Sequence, residues 1–466
     1  MPPLLKETQE CRHERSSIID SAFYGRRYST PATRRIFCDH CRFQRWLDVE
    51  AALALAEADL GIIPADAATK ISKAAQLRLL DLDQVRQEIE RSGHSLVGLL
   101  RVFQSACDGD AGEYIHYGAT TQDVQDTGQS LEMRDVLDEL DSVLDAITAR
   151  LADLAETHQA TVALGRTHAQ PALPMTFGVK VASWLDELLR HAERVQAMRS
   201  RVLVAQLFGG VGTMAGFGGQ ALALLDAFAD RLGLSAPLVG WHVARDRVAE
   251  YLTTLAMVAG TMGRIADEVR ILSRPEFAEL EEGWQYGRVG SSTMPHKRNP
   301  ESCEQAVVLA RLAATALPAA LATMSGDNER DSRSLRLEWA VVPDVSHYTL
   351  SGCEIVRTIL DRLIVHTDRM RANVQVVADQ VATEGLMLAI GQHHGKQSAH
   401  EMVYELSQDA RHAGVPLSEL VRRHPAGDRL TDDELARIFD PAQYLGQSSE
   451  LTRRVVARAR SWLTSR

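Results

Sequence analysis

The sequence predicts an all-α fold whose core is a bundle of long helices. Apolar residues recur every three or four positions in two segments, one after Leu131 and the other after Arg245. Both segments are much longer than a typical globular helix of about 12 residues. Strand-like alternation of apolar and polar residues is nearly absent. Further helical patterns lie near 178–207, 301–324 and 344–382. Long amphipathic helices of this kind are typical of a bundle of antiparallel helices.

The chain length indicates more than one folding unit. At 466 residues the chain is long for a single hydrophobic core. Glycines and polar residues near position 112 and the end of the last long helical pattern near 370 are the candidate boundaries. We therefore predict an N-terminal helical domain over 1–112, a central long-helix bundle over 113–370 and a C-terminal helical domain over 371–466.

Composition excludes several classes of protein. The net charge of −11 argues against a generally basic surface for nucleic acid. The first twenty residues mix acidic and basic side chains and do not resemble a signal peptide, and no run of eighteen apolar residues follows. These features predict a cytoplasmic protein without membrane segments. An anionic substrate would have to be attracted by local arginines, because the overall charge repels it.

Two other patterns partly resemble cofactor or metal sites. Cys38 and Cys41 have the spacing of half a zinc site, but a second pair is missing and the neighbouring apolar residues favour a helix that packs into a core. The glycine-rich stretch 209–219 lacks the glycine spacing of a dinucleotide-binding loop and follows a helical pattern, so a turn between helices is favoured. We predict neither a metal nor a dinucleotide.

The most informative segment for function is 290–300. It follows a glycine-spaced run and contains two prolines, which is typical of a loop that can move. Ser291, Lys297 and Asn299 give it hydroxyl, ammonium and amide groups that suit an anionic substrate enclosed away from water. The alternative is a polar surface loop without function.

This segment resembles the signature of the aspartase/fumarase superfamily, Gly-Ser-Ser-x-Met-Pro-x-Lys-x-Asn, and matches it at every fixed position. Four further segments resemble other parts of the family in the family's order. The similarity covers residues 27 to 343, which is most of the chain. The four segments are 116–123, 165–168, 245–247 and 328–331.

The resemblance implies a β-elimination from a substituted succinate to give fumarate. A base removes the proton next to a carboxylate, and fixed cationic and hydrogen-bonding groups must stabilise the charge that develops. By resemblance Ser291 is the base, and Lys297 with Asn299 holds the developing dianion. His168 is the general acid on the leaving-group side. Glu304 stands where the family has a carboxylate that orients this histidine.

The same resemblance assigns the substrate-binding residues. Thr120, Thr121 and Gln122 are expected to bind carboxylates through hydroxyl, amide and backbone groups, and Arg330 is expected to clamp one with two hydrogen bonds. His94 falls where the adenylosuccinate lyase branch has a second active-site histidine. Arg27 and Tyr28 lie in a segment that resembles the same branch, and they complete the predicted substrate-binding set.

Two branches of the superfamily are similar to this chain, adenylosuccinate lyase and 3-carboxy-cis,cis-muconate cycloisomerase. Leu335 and Trp339 replace a serine and an arginine that hold the nucleotide phosphate in adenylosuccinate lyases, and Gly93 and Ala244 replace two further polar residues. These losses argue against a nucleotide leaving group.

A smaller leaving-group pocket, flanked by Arg333 and Arg336, resembles nitrosuccinate lyase, which releases nitrite. Nitrosuccinate is therefore the specific substrate that the sequence predicts. Adenylosuccinate lyase and the cycloisomerase remain alternatives, and so does a structural homologue without catalysis. The family also implies a homotetramer whose sites are each built from three chains and which acts on a small dicarboxylate without a cofactor.

Overall fold

The computed structural model describes residues 17–466, and helices dominate this part of the chain, which confirms the predicted all-α fold. Residues 1–16, on which the expectation of no signal peptide partly rests, lie outside the described residues. The first nine helices are α1 (Pro31–Ile36), α2 (Asp39–Asp59), α3 (Ala65–Ala74), α4 (Leu82–Ser92), α5 (Ser95–Ala106), α6 (Thr121–Thr157), α7 (Phe177–Val202), α8 (Ala221–Leu232) and α9 (Asp246–Leu272).

The second half of the chain is also helical. Its helices are α10 (Glu301–Thr315), α11 (Leu317–Ala322), α12 (Ser332–Arg362), α13 (Thr367–Val376), α14 (Ala378–Val381), α15 (Thr383–His394), α16 (Lys396–Ala413), α17 (Leu417–Arg423), α18 (Asp432–Ile438) and α19 (Ser448–Thr464). Two antiparallel strand pairs interrupt the helices: β1 (Val162–Thr167) with β2 (Gln170–Thr176), and β3 (Leu280–Glu281) with β4 (Ile364–Val365).

The chain divides into two compact units, each assembled from several stretches of the sequence. One unit contains the described residues up to 143 together with 192–260 and 308–354. Its N-terminal helices pack around a core that includes the buried side chains of Trp46, Leu53 and Phe103. Cys38 caps the start of α2, where its Sγ accepts a hydrogen bond from the backbone N–H of Cys41 at 3.4 Å. The division into three domains stays a prediction.

The other unit contains 144–191, 261–307 and 355–466. Its C-terminal part has a separate core of buried residues, among them Leu386, Val403 and Val421, on α15, α16 and α17. The β1–β2 hairpin belongs to this unit, and residues Thr167 and Gln170 close its tip. Pro171 and Pro174 lie in β2, as expected for a strand of a two-stranded hairpin, both of whose strands are edges.

The helical pattern near 344–382 was predicted with the wrong bounds. α12 begins earlier, at Ser332, because the Asp331 carboxylate accepts the backbone N–H of Arg333 at 2.9 Å and caps the first turn. α12 ends at Arg362, where β4 pairs with β3, and the remaining residues form the two shorter helices α13 and α14.

A buried ion network joins three helices of the first unit. Arg245, which precedes α9, donates to both carboxylate oxygens of Asp126 on α6 at 2.9 Å and to Glu338 Oε1 on α12 at 2.7 Å. All three side chains are fully buried. Burial lowers the pKa of Arg245, but the two carboxylates outweigh it and leave the pKa raised. Removing one partner of such a network typically costs about 3–5 kcal/mol, because the remaining buried charge is left uncompensated.

A buried carboxyl group on α2 makes the free energy of unfolding depend on pH. Glu57 on α2 is fully buried, and within residues 17–466 neither of its carboxyl oxygens has a hydrogen-bond partner. Burial, and then the charge of Glu50, raises its pKa from 4.5 to about 8. Between these values the unfolded chain has lost this proton while the folded protein retains it, so the free energy of unfolding falls as the pH rises.

We predict that Glu57→Gln stabilises the protein on the alkaline side only. Near pH 5 the two proteins should have similar free energies of unfolding, because Glu57 is then neutral when folded. Near pH 9 the variant should be more stable by an amount on the order of a few kcal/mol. Urea unfolding at both pH values measures this difference. An equal effect of the substitution at both pH values would contradict the account.

Candidate active site

Several of the predicted substrate-binding residues line one cavity of about 620 Å³ in the first unit. The junction between α4 and α5 forms one wall, and the start of α12 forms the other. The N-terminus of α6 and the loop before α12 supply polar groups. The cavity brings together His94, Thr120, Thr121, Gln122, Arg330 and Arg336.

The N-terminus of α6 is rigidly held at this cavity. The backbone N–H of Thr120 donates to Asp123 Oδ2 at 3.0 Å, and the Asp123 carboxylate also accepts the backbone N–H groups of Phe208 and Gly209. His242 Nε2 lies 2.9 Å from Asp123 Oδ1, and both side chains are buried. Because a helix N-terminus presents unpaired N–H groups and a partial positive charge, Thr120 and Thr121 lie where an anion is stabilised.

Gln122 is placed differently from its two neighbours. Its amide Nε2 donates to Asp126 Oδ2 at 3.0 Å and to the carbonyl oxygen of His242 at 2.9 Å. Both amide hydrogens are therefore occupied. The backbone N–H of Thr121 and the threonine hydroxyls are therefore the groups at this end of α6 that remain for a carboxylate, and the part of Gln122 in binding one stays a prediction.

Arg330 is fixed at the same end of the cavity. Its Nη1 donates to Thr120 Oγ1 at 2.7 Å and its Nη2 to the carbonyl oxygen of Gly209 at 3.0 Å. Asn328 has a left-handed backbone with a φ of 53° and turns the chain just before this arginine. The guanidinium is thus oriented before a substrate arrives, so it would lose little side-chain entropy in binding a carboxylate.

His94 caps the first turn of α5. Its Nδ1 accepts the backbone N–H of Val97 at 3.3 Å, which leaves Nε2 to carry the proton when the ring is neutral. His94 follows Gly93, whose positive φ of 64° ends α4. The sharp turn between α4 and α5 therefore directs a hydrogen-bond donor at the cavity.

The two arginines on α12 have different roles. Arg336 lines the cavity. Arg333 does not line it: its side chain is 69% exposed and pairs with Asp327 and Asp331. The sequence predicts that both arginines flank the pocket, whereas in the structure only Arg336 lines it.

The 290–300 loop belongs to the second unit. Ser291 Oγ accepts the backbone N–H of Met294 at 3.0 Å, Asn299 Nδ2 donates to the carbonyl oxygen of Gly290 at 2.6 Å, and Lys297 is exposed. Internal hydrogen bonds thus shape the loop, and Lys297 has no ion-pair partner within residues 17–466. The three predicted groups lie on one short, largely exposed segment.

Two carboxylates anchor the base of this loop. Glu282 is buried, pairs with Arg288 at 2.7 Å and accepts the backbone N–H groups of Ser302 and Cys303 at the start of α10. Glu281 pairs with Arg298 at 2.9 Å. The loop therefore begins and ends at fixed points, which is the arrangement needed for a segment that closes over a substrate.

His168 and Glu304 are both exposed in the second unit. His168 and Ala169 have positive φ values of 50° and 62° and form the tip of the β1–β2 hairpin. Glu304 lies in the first turn of α10. No hydrogen bond joins them in the described part of the chain, so the orienting role of Glu304 stays a prediction.

Arg27 and Tyr28 do not line the cavity described above. They lie at the end of a short 3-10 helix, Gly25–Arg27. The carbonyl oxygen of Arg27 accepts a hydrogen bond from Ser351 Oγ on α12 at 3.3 Å. Their predicted part in substrate binding remains a prediction.

Comparison with known proteins gives consistent matches over nearly the whole chain. A family model described as Lyase matches residues 25–314, and one described as Adenylosuccinate lyase C-terminus matches 379–455. The N-acetyl-S-(2-succino)cysteine lyase of Dickeya dadantii is 40% identical over 95% of this chain and 97% of its own length. A protein of the same name from Enterococcus italicus is 36% identical over 96% and 98%.

A solved structure also matches nearly the whole chain. The 3-carboxy-cis,cis-muconate lactonizing enzyme from Pseudomonas putida superimposes with a TM-score of 0.86 at 33% identity, over 93% of this chain and 98% of that chain.

Proposed function

The chain is a lyase of the aspartase/fumarase superfamily, as the sequence predicts, and on that premise we propose that it eliminates a thiol from an S-(2-succino) thioether to leave fumarate. The observation that carries the proposal is the cavity, which combines the oriented cation of Arg330 with an apolar wall and a second cation, Arg336. Two relatives, 40% and 36% identical, are named for a substrate of this class.

The proposed chemistry needs a base, a site for the developing charge and a leaving group. Ser291 removes the proton from the succinyl carbon next to a carboxylate, and Lys297 with Asn299 stabilises the resulting dianion. The electron pair then forms the carbon–carbon double bond as the carbon–sulfur bond breaks. The sulfur leaves as a thiolate or takes a proton from His168. The products are fumarate and one thiol.

The succinyl half of the substrate would lie at the N-terminus of α6. Thr120, Thr121 and Arg330 present donors to the succinyl carboxylates, and His94 offers Nε2 from the opposite wall. The leaving group would then extend toward the first turns of α12. Such pre-oriented donors favour the charged transition state because they need no rearrangement during the reaction.

We further propose that the active enzyme is a homotetramer whose sites are shared between chains, as the family resemblance implies. The exposure of His168, Lys297 and Glu304 in the single chain supports this. The segment Glu301–Ala322 does too: it is apolar enough by length and composition to cross a membrane, yet only 22% of its apolar 18-residue window is buried within the chain. Packing against other copies would cover it. The cytoplasmic location stays a prediction.

Nitrosuccinate, the specific substrate suggested by the sequence, also stays a prediction. Arg336 would suit nitrite, but nitrite would leave the apolar side chains of Leu335 and Trp339 at the same cavity without a partner. Adenylosuccinate is less favoured, because Leu335 and Trp339 place apolar surface where a phosphate would need donors.

A panel of substituted succinates tests the proposal. We expect the purified full-length enzyme to release fumarate from S-(2-succino) adducts with a kcat/KM at least about 10²-fold above that for nitrosuccinate, adenylosuccinate, argininosuccinate, aspartate or malate. Ultraviolet absorbance of fumarate measures each rate, and lactonisation of carboxymuconate is assayed in parallel. Preferential turnover of nitrosuccinate or adenylosuccinate would refute the thioether assignment without affecting the family.

A further inference from the structure

We propose that Arg336 binds a carboxylate carried by the leaving thiol, and that Trp339 and Leu335 pack against an uncharged acyl substituent beside that carboxylate. The chemical class of the leaving group is then an N-acylated, carboxylate-bearing amino-acid thiol. This inference rests on the proposed function and assigns the residues that determine its selectivity.

The cavity-lining residues of α12 form one stripe. They are Ser332, Leu335, Arg336 and Trp339, at positions i, i+3, i+4 and i+7, which share one face of a helix. Leu335 is buried and Trp339 half-buried, so the stripe has an apolar residue immediately before Arg336 and another about one turn after it. An anion bound there would have apolar surface directly beside it.

Arg336 is available for a ligand. Within residues 17–466 it takes part in no hydrogen bond or ion pair, in contrast to Arg333 one turn earlier, which two carboxylates occupy. Arg330 at the same cavity is already tied to Thr120 and Gly209. The cavity therefore has two distinct cationic positions, one for the succinyl half and one for the leaving group.

The opposite wall comes from α4 and the turn after it. Ile89 is half-buried and faces the same cavity, and together with Leu335 and Trp339 it gives the leaving-group end three apolar side chains. Glu90 also lines the cavity and is exposed, so water solvates its carboxylate. A leaving group with a free ammonium would form an ion pair with Glu90. An acylated nitrogen is uncharged, and its acyl group would pack against the apolar side chains.

The charges and the volume together define the class of leaving group. Expelling a simple inorganic anion would use Arg336 but leave the apolar wall without a partner. A purely apolar thiol would pack against the wall but leave Arg336 without an anion. A thiol with a carboxylate and an acylated nitrogen on one carbon satisfies both, because these two groups are neighbours, as Arg336 and its apolar neighbours are on one face of α12.

A matched set of substrates and variants tests the assignment. The substrates are the S-(2-succino) adducts of N-acetylcysteine, of cysteine and of N-acetylcysteamine, which lacks the carboxylate. For the N-acetylcysteine adduct, Arg336→Met should lower kcat/KM about 10- to 100-fold, mainly by raising KM, because a charged hydrogen bond made in both ground and transition states is lost. The same variant should change kcat/KM for the N-acetylcysteamine adduct by less than about threefold.

Trp339→Ala should lower kcat/KM about 10-fold for both N-acetylated adducts and much less for the cysteine adduct. Arg333→Met is the matched control on the same helix, and we expect it to act like the wild type on all three adducts, since its side chain lies outside the cavity.

The outcomes separate this inference from the proposed function. If the wild-type enzyme turns over no thioether, the proposed function fails. If it turns over all three adducts but Arg336→Met lowers kcat/KM equally for each of them, the carboxylate assignment is overturned. A wild-type preference for the free-amine cysteine adduct that disappears in Glu90→Gln would overturn the acyl assignment and favour an ammonium-bearing leaving group. Circular dichroism of each variant excludes misfolding as the cause of any loss.

Discussion

Replacement of Ser291 by alanine should lower kcat by about 10²–10⁴-fold on any substrate that the enzyme accepts. The variant loses the proposed base, and a positioned base contributes about 10²–10⁴ in rate. The fold should be unaffected, because within residues 17–466 the hydrogen bonds of Ser291 Oγ all join it to groups of its own loop, such as the backbone N–H of Met294. Exposed loop substitutions usually change the free energy of unfolding by less than about 0.5 kcal/mol.

Thr293→Ala is the matched control for this variant. It removes a neighbouring hydroxyl at a variable position of the loop, and Thr293 is exposed. We expect its kcat to remain within about threefold of the wild type. Fumarate release and thermal unfolding, measured on both variants, separate a chemical effect from a structural one. Full activity of Ser291→Ala would mean that another group acts as the base.

The second large effect is expected for Arg330→Met, with kcat/KM lowered about 10²–10³-fold. Arg330 is the cation that Thr120 and Gly209 hold at the anion-binding end of the cavity. Arg330→Lys keeps the charge but loses the planar fork, so it should recover only part of the activity. If the methionine variant bound and converted substrate as well as the wild type, Arg330 would have no role in carboxylate binding.

Mixing these two inactive variants tests whether sites are shared between chains. Arg330 and Ser291 belong to different compact units of the chain. If each site takes them from different copies, dissociation and reassociation of Ser291→Ala with Arg330→Met should restore part of the activity, because some sites then contain both native residues. No recovery in verified mixed oligomers would show that one chain supplies both.

The sequence predicted the long helices well because their apolar periodicity extends over many turns. The patterns after Leu131 and Arg245 correspond to α6 and α9. Shorter signals were less informative. The start of α12 depends on a single capping carboxylate, Asp331, that lies outside the apolar pattern. The tertiary contacts of Arg245 with Asp126 and Glu338 could not be predicted, since these residues are far apart in the sequence.

The candidate site was predictable to the extent that it consists of short motifs. Thr120, Thr121, Arg330 and His94 line one cavity, although they come from separate segments. Which of Arg333 and Arg336 faces that cavity depends on helical phase and on a salt bridge to Asp331, and neither is visible without the structure. His168 and Glu304 are exposed to solvent in the single chain. Their predicted roles therefore depend on contacts with other copies.

The most direct test of the proposed reaction is a product balance on the S-(2-succino) adduct of N-acetylcysteine. Fumarate is followed by ultraviolet absorbance, and free thiol is followed in the same sample by reaction with a disulfide reagent. We predict that both appear together in equal amounts, and that Ser291→Ala abolishes both. If the wild-type enzyme released neither product, or released fumarate without thiol, elimination of a thiol from a substituted succinate would be contradicted.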